Sequence, residues 1–128
     1  MRALRAAPLA VAAALIALPL AMSAPAGASH GPARLLVKGV EYDLTLSRDT
    51  LAPGQAIIEF QNAGQDPHNL VIKRDGGAGK ARTTGAPTKP GEVDDIVTKL
   101  KPGAKYVLFC SMKHHRAKGM VAHISVKG

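Results

Sequence analysis

One cysteine and no tryptophan occur in this chain of 128 residues, and only 2 Tyr and 2 Phe accompany them. A single cysteine excludes an intramolecular disulfide, so the fold is held together without that staple. The shortage of aromatic rings leaves no platform for stacking bases and argues against nucleic acid as a partner. Acidic side chains are scarce too, with 9 Asp and Glu against 17 Lys and Arg and a formal charge of +8. Apolar runs of any length are missing outside the N-terminus, no stretch carries a convincing helical period, and there are no internal repeats.

The N-terminus has the composition of an export signal. Arg2 and Arg5 form a basic start, Leu9 to Leu20 is apolar and rich in Ala and Leu, and Ala26-Gly-Ala28 supplies the small-x-small pattern cut by signal peptidase. The apolar stretch is interrupted by Pro19 and falls short of the roughly 20 residues a membrane span needs. No cysteine stands at the cleavage site for lipid attachment. The expected organisation is a signal peptide at residues 1–28 and one domain at 29–128, exported, with no transmembrane segment in the mature chain. Removing Arg2 and Arg5 leaves 15 Lys and Arg against 9 Asp and Glu, a mature charge near +6. Such a surface favours acidic partners or anionic membranes.

Short apolar segments then alternate with turn signals. Val40 to Leu46 alternates, placing Val40, Tyr42, Leu44 and Leu46 on one face of a strand. Ala52-Pro-Gly54 turns, Ala56 to Phe60 resumes a strand, and Asn62-Ala-Gly64 turns again. His68 to Lys73, Val93 to Leu100, Lys105 to Cys110 and Met120 to Val126 complete the set, with an irregular segment from Asp75 to Gly91. Six or more short strands with frequent turns predict an all-β, single-domain, antiparallel sandwich with Greek-key connections.

The lone Cys110 lies in Cys110-Ser-Met-Lys-His-His115-Arg-Ala-Lys-Gly-Met120, directly after the apolar run Tyr106 to Phe109. By itself it reads equally well as a small buried hydrophobe. An unpaired thiol in an exported chain, however, is explained by metal ligation. Cysteine, histidine and methionine at five-residue steps mix soft and borderline donors, a combination suited to copper cycling between Cu(I) and Cu(II). The loop between two strands can bring these three to one point, and Asp66-Pro-His68-Asn69 offers a second histidine from a strand end that a Greek key can place alongside Cys110.

The sequence resembles the blue (type 1) copper proteins, or cupredoxins, in particular their plastocyanin- and halocyanin-like branch. The likeness runs from about Val40 to Val126 and rests on Pro67-His-Asn69, Leu100-Lys-Pro-Gly103, Tyr106-Val-Leu-Phe-Cys-Ser111 and Gly119-Met120. It implies one type 1 copper ion with His68, Cys110 and His115 as equatorial ligands and Met120 as the weak axial one. Asn69 and Ser111 match positions that hydrogen-bond across the site in the family. Where the family often has Pro-Gly before the loop histidine, this chain has Lys113-His114, so the loop is expected to be softer and two adjacent histidines compete. His115 has the family's spacing to Cys110 and Met120 and is preferred. His123 and His30 are read as non-ligands.

The resemblance implies a monomeric, non-enzymatic carrier of single electrons between redox partner proteins. An apolar patch drawn from Ala52, Pro53, Pro67 and Met112, rimmed by Lys113, His114, Arg116 and Lys118, is expected to meet an acidic docking surface. A second possibility keeps the ligands and drops the electron transfer: a protein that buffers or delivers copper. An enzyme is disfavoured because Phe109 and Ser111, rather than histidines that could bridge to further copper centres, flank Cys110. A copper oxygenase would need His30 at the mature N-terminus.

Overall fold

The computed structural model describes residues 31–77 and 79–128. The expected signal peptide and His30 therefore lie outside the described residues. Nine strands and one short helix follow in order: β1 Ala33–Val40, β2 Asp43–Leu46, β3 Thr50–Leu51, β4 Gly54–Asn62, β5 Val71–Arg74, β6 Arg82–Thr83, β7 Val93–Leu100, β8 Lys105–Phe109, α1 His115–Lys118 and β9 Val121–Val126. They make two sheets, ordered β2-β1-β4-β7 and β3-β9-β8-β5-β6.

Period-two patterning dictates which side chains fill the space between the sheets. On β1 Leu35 and Val37 turn inward, on β4 Ala56, Ile58 and Phe60, and on β7 Ile96 and Leu100. The opposing sheet contributes Ile72, Tyr106, Leu108, Ile124 and Val126 to the same cluster. Each large apolar side chain sealed here contributes about 1.5–3 kcal/mol. That is how a domain without disulfides closes its core.

Two expectations are corrected. The sheets are mixed, because β1 runs parallel to β4 and β3 parallel to β9. The chain leaves β2, crosses to the other sheet as β3 and returns as β4, which lays β4 beside β1 in the same direction. Apolar alternation along one strand carries no information about a neighbour's direction, so the sequence could not reveal this. Nor is Val40 to Leu46 one strand: β1 ends at Val40, Glu41 and Tyr42 form a turn, and β2 pairs back antiparallel with Val40 opposite Asp43.

The Asp75–Gly91 segment carries the short β6, antiparallel to β5, and an isolated bridge between Thr88 and His68. Among the described residues, no helix is long and apolar enough to cross a membrane.

Candidate metal centre

The ends of β8 and β9 set the first two positions. Cys110 follows β8 and Met120 precedes β9, and the Cys110 N–H donates to the Met120 carbonyl at 3.1 Å, extending the ladder between these strands. The chain between them closes on itself. His115 N–H donates to Met112 O at 3.0 Å, and Met120 N–H donates to His115 O at 3.1 Å. His114 takes a left-handed conformation, φ 65°, just before α1. It remains exposed, whereas His115 is partly buried.

His68 is held from three directions. Its backbone pairs with Thr88 in both directions, at 3.1 Å and 2.7 Å. The fully buried Asn62 donates through Nδ2 to Asp66 O and Thr88 O, both at 2.8 Å, tying the loop before His68 to the residue that bridges it. The ring is fixed by Glu41, whose Oε1 lies 2.9 Å from His68 Nε2. A carboxylate only accepts, so Nε2 carries the hydrogen and a neutral His68 leaves Nδ1 with its lone pair free.

That free nitrogen faces the loop. His68 Nδ1 is 3.1 Å from His115 Nδ1, and His115 Nδ1 is 3.6 Å from Cys110 Sγ. The three donor atoms all lie within 4.8 Å of one another. Side chains of His68, Cys110 and Met120 are fully buried. Two imidazole nitrogens and a sulfur converging on one point, with a methionine sealed beside them, fit a copper ion by donor chemistry. His68, Cys110, His115 and Met120 make the arrangement of a type 1 site.

Charge around the centre is uneven. Glu41 is held at about 2, well below the usual carboxylate range, chiefly by the Asp66 backbone N–H with help from its own and Gln65's backbone and from His68. His115 is pushed below its ordinary value, first by burial and then by the neighbouring His68. Both effects favour the forms a metal ligand set needs: a neutral ring at His115 and an anion behind His68.

The structure gathers three of the four expected ligands by their donor atoms and places Met120, buried, at the strand end beside them. It selects His115 over His114. Asn69 and Ser111 bond reciprocally, Asn69 Nδ2 to Ser111 Oγ at 2.7 Å and Ser111 N–H to Asn69 Oδ1 at 2.8 Å. His123 is exposed, 3.6 Å from Asp75, and outside the cluster. Ala52 and Pro53 do not belong to this end. They follow β3, which pairs with the end of β9 opposite Met120, and Gly54 opposes Leu100 rather than the site. Sequence reading missed Glu41, Tyr42, Asn62 and Thr88. The signal for the first two was a change of inward parity, from Leu35 and Val37 to Leu44, which calls for a turn or a bulge between them.

The family profile described as copper binding proteins, plastocyanin/azurin family, matches residues 35–127. No match was found among curated protein sequences. The fold is similar to that of dithionite-reduced auracyanin from the photosynthetic bacterium Roseiflexus castenholzii, with TM-score 0.58 and 19% identity over 74% of this chain and 97% of that one. Auracyanin A, a "blue" copper protein from Chloroflexus aurantiacus, superposes with TM-score 0.56 and 16% identity over 76% and 100%. A multicopper oxidase gives TM-score 0.53 and 18% identity, the likeness spanning 73% of this chain but 41% of the oxidase. The extent of the family match, together with the converging histidine, cysteine and methionine, leads to one conclusion: this chain belongs to the plastocyanin/azurin family of copper-binding proteins.

Proposed function

We propose that the chain is an exported, monomeric, non-enzymatic carrier that passes single electrons between redox proteins. The observation that carries this reading is the pairing of a sealed donor set with one partly exposed histidine. His68, Cys110 and Met120 exclude water and resist rearrangement, while His115 reaches the surface beside them. A copper ion bound by His68, Cys110 and His115, with Met120 as axial ligand, would supply the Cu(I)/Cu(II) couple. The protein's part is to hold two strand ends fixed so that little moves on electron transfer.

Export is supported by the basic, apolar and small-residue pattern of residues 1–28 and by the unpaired thiol. The partner is an acidic redox protein. Lys113, His114 and Arg116 are exposed around the loop, and among the described residues no carboxylate pairs with a lysine or arginine there. Arg116 lies over the Phe109 ring, 4.2 Å from its centroid, which presents its charge beside an apolar surface including Met112 and Val121.

The deciding measurement is a visible spectrum and redox titration of the copper-loaded protein. An intense blue band with a reversible one-electron wave is expected. Binding of Cu(I) alone, without such a wave, would favour copper buffering or delivery and overturn the carrier reading. Rates with an acidic partner should fall as ionic strength rises, and salt-independent rates would remove the steering argument.

A further inference from the structure

The turn between β1 and β2 reaches both histidines of the metal centre, although it supplies none of the ligands. Glu41 Oε1 accepts three hydrogen bonds: from Gln65 N–H at 2.8 Å, from Asp66 N–H at 2.7 Å and from His68 Nε2 at 2.9 Å. Its side chain keeps only 24% of its exposure. The carboxylate sits so close to Gly64 that a Cβ there would collide with it. The next residue, Tyr42, packs edge-on against His115, with ring centroids 5.1 Å apart and planes at 78°. Lys118 backs the same ring, with Nζ 4.3 Å from its centroid and 3.2 Å from its hydroxyl. Gly119, at φ 127°, passes so close that a Cβ would come within 2.7 Å of the Tyr42 carbonyl.

We propose that Glu41 and Tyr42 form a positioning brace on the two histidine ligands, in which Glu41 fixes the His68 tautomer and adds negative charge behind it, while Tyr42 holds the His115 ring in place. This rests on the type 1 copper reading above. A histidine that donates its outer N–H to a carboxylate is a more basic ligand than one donating to a neutral carbonyl. More electron density at His68 Nδ1 stabilises Cu(II) relative to Cu(I), so the reduction potential is set lower than the four ligands alone would set it. The brace also supplies from outside the loop the stiffness that Lys113-His114 does not. From outside the site, the His115 ring is held by Tyr42, anchored by the same two-residue turn that anchors His68.

All three hydrogen bonds converge on Oε1, which makes a clean separation possible. Glu41→Gln keeps an acceptor oxygen at that place and removes the charge. The copper-loaded variant is expected to keep the wild-type visible band and to show a higher reduction potential. An unchanged potential overturns the charge role. Glu41→Ala removes the anchor as well, and Cu(II) affinity measured by chelator competition should fall roughly 10–100-fold, the usual effect of losing such a partner. Tyr42→Leu should release copper to a chelator several-fold faster with the potential little moved, and an unchanged release rate overturns that half of the brace.

A final readout needs no copper. In the metal-free wild type, imidazole 15N shifts should report His68 protonated at Nε2, and Glu41→Ala should scramble that tautomer while Glu41→Gln preserves it. A mixed tautomer in the wild type overturns the brace whatever the spectrum shows. A wild type without a blue band but with the fixed tautomer overturns the copper reading and leaves the brace standing.

Discussion

His68 and His115 are the same side chain, aimed at the same point, held in opposite ways. His68 is fully buried, bridged to Thr88 through its backbone and locked at Nε2 by Glu41. His115 is partly exposed on a four-residue helix and leans on the edge of Tyr42. One ring is built into the sandwich and the other is presented at its end. On the carrier reading proposed above, the site has to stay rigid and yet exchange electrons, and it would divide these demands between its two histidines. The division also tells which substitutions will be repairable from solution.

The largest effect should come from Cys110, which both rings share. Cys110→Ser should abolish the intense visible band of the copper-loaded protein, while the two histidines stay in place. A surviving band would mean that the sulfur is not a ligand and that the comparison has lost its common point. Next comes a direct contrast between the rings. His115→Gly should lose the band and regain it on addition of free imidazole, because the vacated position opens toward solvent. His68→Gly should not recover, since its position is sealed. Equal rescue of both would break the comparison.

A third test weakens the rigid side without touching a ligand. Asn62→Ala leaves the Asp66 carbonyl and the Gly64 N–H without that partner and takes from the Thr88 carbonyl one of its two donors, the His68 N–H remaining, and it should destabilise the protein by about 1–3 kcal/mol, read from urea unfolding. A loss under ~0.5 kcal/mol, the range of ordinary surface changes, would show that Asn62 is not what secures the His68 loop.

The smallest effect concerns acid stability of the copper-free protein. Folding favours neutral His115, so the unfolded chain binds the extra proton below pH ~6.5 and stability declines as pH falls from there. Glu41 is depressed from 4.5 to about 2 in the folded state, so its contribution is whole above pH 4.5 and is lost on the way down to about 2. Glu41→Gln should flatten the lower window and move the upper one only slightly, because Glu41 is the smallest of the influences on His115. Unchanged curves in both windows would remove the electrostatic distinction between the rings.

The ligands were legible because three of them lie in one loop between two strongly apolar strands, where sequence distance and spatial distance agree. His115 could be chosen over His114 because it has the spacing to Cys110 and Met120 that the resemblance implies, and the structure places it in the cluster while His114, at φ 65°, stays exposed. Among the supporting residues, Asn69 and Ser111 were legible through the family resemblance, but Glu41 and Asn62 were not. Glu41 reaches His68 across 27 positions of sequence, and Asn62 reaches Thr88 across 26. Nothing in the residues themselves announces such pairings. The run Val40 to Leu46 misled because apolar alternation continued through a tight turn, concealing a change of face. Ala52 and Pro53 misled for a different reason: alternation identifies strands but not which end of the sandwich a turn occupies.

The span from Cys110 to Met120 also has a consequence for the order in which the site is assembled. Its backbone-to-backbone hydrogen bonds close within the loop, so contacts of low sequence separation can form early and at small entropic cost. His68 and Glu41 join only after β1, β4 and β8 have found their places, the slower, non-local part of folding. A refolding chain is therefore expected to gather a cysteine, a histidine and a methionine before it forms the enclosed four-residue set. On that order, the arrival of His68 would also be the step that closes the centre to water.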